Sequence, residues 1–119
     1  MATILVADDE QLIRWSLSER LRADGLRVVE AATGQEAIDK VHEGIDLVLL
    51  DYKLPDIDGV TVLRPIKEYD PDIVVILLTA YATVDTAVEA MKTGATHVGD
   101  DWEALVKFHG IDVIAECTG

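Results

Sequence analysis

The sequence predicts a three-layer α/β fold, in which helices cover both faces of a doubly wound parallel sheet. Three observations indicate this fold class. Short apolar runs alternate with segments of helical periodicity along most of the chain. Two of these runs end in acidic residues, as expected where parallel strands meet at a ligand-binding edge. The 119 residues, half of them hydrophobic, suffice for a single domain with a substantial core.

The first half of the chain predicts two strands and two helices. In order they are strand 3–7, helix 10–23, strand 26–30 and helix 35–42. The first helix is predicted from apolar residues that recur at helical spacing, namely Leu12, Ile13, Leu17 and Leu21. Gly25 is suited to the left-handed conformation that commonly ends a helix.

The second half continues the alternation and contains one conflict. The predicted elements are strand 45–50, helix 59–69, strand 73–78 and helix 83–92. Pro65 falls inside the third helix, where it removes a backbone donor and clashes with the preceding turn. We therefore expect a kink there, or a helix that begins later. Parallel strands with intervening helices require right-handed crossovers.

Acidic side chains follow two of the predicted strands. Asp8 and Asp9 follow the first strand, and Asp51 follows the third. If these strands are neighbours, the three carboxylates converge, and they repel one another unless a hard cation neutralises them. Carboxylate oxygens are ligands that suit Mg²⁺. A lone acid at a strand end is more often a solvated loop residue, but two acidic ends favour a magnesium site.

Thr79 directly follows the fourth predicted strand, so its hydroxyl can reach the same edge as Asp51. The alternative is that Thr79 only caps a helix or a turn, which is the commoner role for such a residue. The rest of the acidic pattern favours the first interpretation.

Composition restricts the classes of function. The net charge of −13 opposes direct binding to nucleic acid or to an anionic membrane, and favours a cation or a basic protein partner. No apolar run is long enough to span a membrane, and the chain begins without a signal-peptide pattern. The single cysteine, Cys117, cannot form an internal disulfide and fits a cytoplasmic location.

Residues 1 to about 95 resemble the receiver domain of bacterial two-component response regulators. The resemblance depends on four features: the Asp8-Asp9 pair, the strand-end Asp51, the Asp51-x-x-x-Pro55-x-x-x-Gly59 spacing, and Thr79-Ala80. The sequence runs at 13–17 and 77–84 are most similar to receivers of nitrogen-regulation-type transcriptional activators.

The resemblance implies a flavodoxin-like fold with strand order 2-1-3-4-5 and a phosphoryl-transfer mechanism. Asp51 would accept a phosphoryl group from a histidine kinase, so the domain would not be an enzyme beyond Mg²⁺-dependent self-phosphorylation. Asp8, Asp9 and Asp51, with the backbone carbonyl of Lys53, would hold Mg²⁺. Thr79 would then hydrogen-bond the phosphoryl group and shift a two-state surface.

The resemblance ends where the family has a strand that finishes in Lys-Pro. By count, Asp101 stands about where that lysine belongs, and Val98 stands near the position of the family's aromatic switch residue. An aspartate there would add to the repulsion among the acids, so we expect slower phosphorylation and an uncoupled switch. Alternatively, Asp101 caps a predicted helix at 101–108.

The tail, residues 96–119, is similar to the middle of Rossmann-type dehydrogenases and includes a predicted strand at 111–116. Nucleotide binding has little support, since a G-x-G-x-x-G motif is absent. One hypothesis is an engineered chimera joined near residues 92–97, a scaffold without selected activity; the alternative is a natural receiver with a divergent end. The last strand could extend the sheet, insert elsewhere or pair with another molecule as a homodimer.

Overall fold

The computed structural model describes residues 2–78, 92, 94, 95 and 97–99. These residues include five strands and three helices, and strands alternate with helices from the first strand to the fourth, as the sequence predicts. The elements are β1 Thr3–Ala7, α1 Gln11–Ala23, β2 Arg27–Ala31, α2 Gly34–Lys40, β3 Leu47–Asp51, α3 Gly59–Tyr69, β4 Val74–Leu78 and β5 His97–Gly99. The predicted helices at 83–92 (apart from Lys92) and 101–108 and the predicted strand at 111–116 lie outside the described residues.

All five strands are parallel, and their order is β2-β1-β3-β4-β5. This order confirms the predicted flavodoxin-like arrangement. Chain order reverses between β1 and β3, which are neighbours with Ala7 paired to Leu50. In open α/β sheets, ligands bind at the carboxyl ends of the strands at such a reversal. The topology therefore places the ends of β1 and β3 where a site is expected.

The sheet buries both of its faces along β1, β3 and β4, which explains why these strands are almost continuously apolar. Along β1, Leu5 belongs to one hydrophobic cluster, while Ile4 and Val6 belong to the cluster on the opposite face. Along β3, the four residues Leu47, Val48, Leu49 and Leu50 are fully buried. The two central strands are therefore fixed from both sides, and so are the residues at their ends.

The buried face of α1 differs from the predicted one. Leu17 and Leu21 are buried as expected, but Leu12 is 74% exposed and Ile13 is 44% exposed. Leu12 lies about 140° around the helix from Leu17, and so points away from the sheet. Ile13 belongs to the first turns of α1, which begin beyond the carboxyl end of β1. Helical spacing identified the helix correctly and gave the wrong buried residues in its first turns.

Helix α3 has the predicted bounds and contains Pro65, so the predicted later start is wrong. The Asp58 side chain caps the helix by accepting a hydrogen bond of 2.8 Å from the backbone N–H of Thr61. Pro65 removes the bond that the Thr61 carbonyl would accept. Because Thr61 is exposed, water can take the place of that donor. A kink at Pro65 remains an expectation.

No helix within the described part of the chain is long and apolar enough to cross a membrane.

Ser18 of α1 offers a test of the packing between α1 and the sheet. Ser18 is fully buried, and its hydroxyl oxygen has no hydrogen-bond partner among the described residues. Replacing Ser18 with alanine removes this unpaired group, so we expect the free energy of unfolding to rise by about 1 kcal/mol. Urea denaturation measures the change.

Ser16→Ala is the matched control, because Ser16 is exposed on the same helix and the same gain in helix propensity applies. The packing account requires Ser18→Ala to stabilise the protein more than Ser16→Ala does. An equal gain, or a loss, would contradict it.

Candidate functional site

Three carboxylates meet at the carboxyl edge of the sheet. Asp8 and Asp9 follow β1, Asp51 ends β3, and one oxygen from each lies within 4.8 Å of the others. Asp8 is 5% exposed, Asp51 is partly buried and Asp9 is exposed. The structure thus brings together the acids that the sequence analysis placed at neighbouring strand ends.

The backbone of Asp8 is held on two sides. Its N–H donates to the Ala31 carbonyl at 3.0 Å, which continues the β1–β2 ladder by one residue. Its carbonyl accepts a hydrogen bond of 2.7 Å from Nη1 of Arg14. The Oδ1 atom accepts a further bond of 2.9 Å from the backbone N–H of Glu10. These bonds fix the direction of a carboxylate that would otherwise turn away from its acidic neighbours.

Asp51 is fixed by the close approach of α3 to the end of β3. The Gly59 N–H donates to the carbonyl of Tyr52 at 2.8 Å, and the Tyr52 N–H donates to the carbonyl of Leu78 at 3.0 Å. A Cβ atom on Gly59 would lie 2.9 Å from the Asp51 carbonyl oxygen and 2.7 Å from a methyl group of Leu77. Any other residue at position 59 would force the neighbouring atoms to shift. This explains why the Asp51-x-x-x-Pro55-x-x-x-Gly59 pattern ends in glycine.

Burial and the repulsion of nearby acids raise the pKa of two members of the cluster, Asp8 and Asp51. Burial, and next the negative charge of Asp8, raise the pKa of Asp51 to about 6, although a hydrogen bond from the Lys53 N–H acts against this rise. Burial also raises the pKa of Asp8, opposed by the hydrogen bond from Glu10. A bound divalent cation would reverse this effect, because it stabilises the ionised carboxylates.

The donor set fits a hard divalent cation. The three acids offer oxygen ligands, and these are close enough for a single ion to contact them. Mg²⁺ commonly retains several water ligands, so a site open on the side of Asp9 is compatible with it. Within the described ranges, these three acids are the one group of at least three acidic, histidine or cysteine side chains whose ligand atoms are close enough to share an ion.

Two further residues were predicted for the site. Lys53 lies beside it, since its N–H donates to Oδ1 of Asp51 at 3.3 Å. The Lys53 residue is exposed, in agreement with the expected solvated side chain, and the role of its carbonyl stays a prediction. Thr79 lies outside the described residues; Leu78, which precedes it in the chain, pairs with Asp51.

The structure adds contacts that the sequence did not indicate. The Asp56 carboxylate accepts bonds of 2.8 and 2.9 Å from the backbone N–H groups of Gly34 and Gln35, and these bonds lower the pKa of Asp56. Arg14, besides its bond to Asp8, donates from Nε to Oε1 of Glu30 at 3.2 Å. The partners are distant in sequence, so no local pattern could have identified either contact.

Known proteins of one family are similar to most of this chain. The family model described as "Response regulator receiver domain" matches residues 4–98. The transcriptional regulatory protein ZraR of Klebsiella oxytoca is 46% identical over 93 residues, which are 77% of this chain and 21% of that protein. The chain therefore spans about a fifth of the length of this relative.

Solved structures show the same architecture. A CheY-like response regulator receiver domain protein from Methanospirillum hungatei has a TM-score of 0.85 at 26% identity, covering 99% of this chain and 98% of that one. The response regulator protein TrrA from Thermotoga maritima, in complex with Mg²⁺-BeF, has a TM-score of 0.80 at 33% identity, covering 92% of this chain and 97% of that one.

The raised pKa of Asp51 predicts a pH-dependent stability in the absence of metal. Since the folded value is about 6 against an ordinary 3.8, the protonated carboxyl stabilises the fold at low pH, and this contribution is lost as the pH rises through about 6. Asp51→Asn should therefore raise the free energy of unfolding by about 1 kcal/mol at about pH 7.5 in EDTA, with solvent screening allowed for. Its advantage should shrink towards about pH 4.5.

Urea denaturation at the two pH values measures this difference. Asp72→Asn is the control, because it removes the same charge from an exposed turn. If both variants change stability equally at each pH, the clustering of the acids is not responsible.

Proposed function

The chain belongs to the family of response regulator receiver domains of two-component signalling, and we propose that Asp51 is its phospho-acceptor. The observation that supports this proposal is the position of the Asp51 carboxylate, partly buried at the end of β3 and within 4.8 Å of two further acids. Such an arrangement is unfavourable for the ionised acids alone, and it becomes favourable when a cation and a phosphoryl group share the site.

In the proposed reaction, an ionised carboxylate oxygen of Asp51 attacks the phosphorus of the donor, and the bond from phosphorus to the donor's leaving group breaks. The N–H of Lys53 and the fixed backbone around Tyr52 orient the nucleophile. Asp8, Asp9 and Asp51, with the Lys53 carbonyl, would hold Mg²⁺, which supplies positive charge next to the transferring phosphoryl oxygens. The Thermotoga maritima relative in complex with Mg²⁺-BeF supports this assignment.

Receiver domains interact with histidine kinases and phosphotransferases, and we propose a histidine kinase as the phosphoryl donor here. The net charge of −13 favours a basic docking surface on that partner, and opposes direct contact with nucleic acid or membrane. A cytoplasmic location follows from this role as part of the proposal. Thr79 is proposed as the hydroxyl that bonds the phosphoryl group, on the strength of its place after β4 in the sequence.

The proposal includes reduced activity, because the family's lysine is missing by count at Asp101. A lysine ammonium near the phosphoryl oxygens would offset charge in the transition state, and an aspartate would add to it. The competing hypothesis is a chimeric scaffold without activity. Its support is the tail at 96–119, because most of this segment lies beyond the family match at 4–98. The two hypotheses differ in whether Asp51 still accepts a phosphoryl group.

Intact-mass spectrometry after incubation with acetyl phosphate and Mg²⁺ tests the proposal. We expect one phosphoryl adduct in the wild type and in Asp72→Asn, and none in Asp51→Asn, because Asp51 is the proposed nucleophile, whereas Asp72 lies in an exposed turn and is not part of the acidic cluster. EDTA should abolish the adduct. A folded wild type without an adduct, or an adduct that persists in Asp51→Asn, would contradict the assignment.

A gain-of-function variant tests the reason for reduced activity. If Asp101 occupies the position of the missing lysine, Asp101→Lys should speed adduct formation by about tenfold, because it restores a positive charge beside the phosphoryl group. Asp100→Lys makes the same charge change one residue earlier. Equal rates for the two variants would attribute the gain to overall charge and would refute the specific role of position 101.

A further inference from the structure

Arg14 joins the acidic cluster to the neighbouring strand. Its Nη1 donates to the Asp8 carbonyl at 2.7 Å, and its Nε donates to Oε1 of Glu30, on β2, at 3.2 Å. Only 16% of the Arg14 side chain is exposed. One guanidinium therefore spans two acceptors in a fixed geometry, which a flexible surface arginine would not do.

Glu30 can act as an anchor because its backbone is held within the sheet. Its Oε2 also accepts a bond of 3.2 Å from Nη2 of Arg22, about two turns further along α1, but this pair is more exposed than the pair with Arg14 and contributes little to the anchor. Its backbone carbonyl accepts a bond of 2.6 Å from Nζ of Lys40 on α2. Strand β2 pairs with β1 over its full length, with Val6 opposite Glu30. The backbone of Glu30 is thus part of the same sheet that carries the site.

We propose that Arg14 is a positioning residue for the divalent-cation site: by tying the main chain of Asp8 to Glu30, it keeps the Asp8 carboxylate directed at the ion. This inference rests on the proposed function. Arg14 does not touch the carboxylate oxygens through any described bond, so its action is through the backbone that carries them. The bond from Glu10 to Oδ1 of Asp8 then sets the carboxylate relative to that fixed backbone.

Charge and position predict opposite effects of removing Arg14. A positive charge near the acids opposes the arrival of a cation, so loss of the charge alone would tighten Mg²⁺ binding. Loss of the backbone anchor would loosen Asp8 and weaken binding, as loss of outer residues around metal sites commonly does. The sign of the change in affinity therefore separates a positioning role from a purely electrostatic one.

Calorimetric titration with MgCl₂ of the wild type, Arg14→Ala, Arg14→Lys and Arg22→Ala tests the proposal. We expect Arg14→Ala to raise the Kd for Mg²⁺ on the order of tenfold. Arg14→Lys should also weaken binding, because an ammonium keeps the charge but lacks the planar fork that reaches both acceptors. Arg22→Ala is the matched control: Arg22 pairs with the same Glu30 but makes no described bond to Asp8, so the Kd should stay within about twofold.

A second readout needs no metal. Hydrogen exchange of the Glu10 amide, whose N–H is bonded to Asp8, should be faster in Arg14→Ala than in the wild type or Arg22→Ala in EDTA. Circular dichroism shows whether each variant is folded. If Arg14→Ala does not fold, Arg14→Lys takes its place in both measurements, because it keeps most of the side-chain volume.

The outcomes distinguish this inference from the function on which it rests. If the wild type binds Mg²⁺ and the Arg14 variants bind it equally well or more tightly, the positioning role is refuted and the proposed cation site stands. If the wild type does not bind Mg²⁺, both the cation site and the role of Arg14 are refuted. A weaker affinity in both Arg14 variants, with the Arg22→Ala control unchanged, supports the proposal.

Discussion

Repulsion among three carboxylates is the constraint on which the arrangement of this domain depends. Asp8, Asp9 and Asp51 would separate if their backbones were free, since like charges repel; burial together with the charges of Asp8 and Asp9 raises the pKa of Asp51. They stay together because β1 and β3 are paired neighbours whose apolar residues are buried on both faces of the sheet. The hydrophobic core therefore supplies the free energy that holds an unfavourable polar cluster in place.

Each helix and loop near the carboxyl edge contributes one contact to this arrangement. Helix α1 provides Arg14, which fixes the main chain of Asp8. Helix α3 begins at Gly59, close enough to the end of β3 to fix Asp51. The loop between β3 and α3 provides Asp56, which caps α2 and so ties that loop to the helix beside it. The site is thereby connected to three separate elements, and none of these contacts uses a carboxylate of the cluster itself.

The sequence predicted the fold well because its information is local and periodic. Apolar runs bounded by glycine, proline and acidic residues predicted the strands, and the family resemblance implied their order. The two acidic strand ends indicated the edge at which the site lies. The prediction was wrong for Leu12 and Ile13, since helical spacing does not tell where a helix extends past the sheet. The expected later start of α3 was wrong, because the helix begins at Gly59 and contains Pro65; Thr61, whose carbonyl loses its donor there, is an exposed residue. The contacts of Arg14 with Glu30 and of Asp56 with Gly34 and Gln35 join residues 16 to 22 positions apart, and no local pattern encodes such pairs.

The three acids are proposed to form one divalent-cation site. The most direct measurement is the anomalous scattering of Mn²⁺, a substitute for Mg²⁺, in crystals grown with the ion. The account predicts one strong peak at about 2.2 Å from carboxylate oxygens of Asp8, Asp9 and Asp51. A peak at another place, or no peak in a crystal where this edge of the sheet is open to solvent, would contradict it.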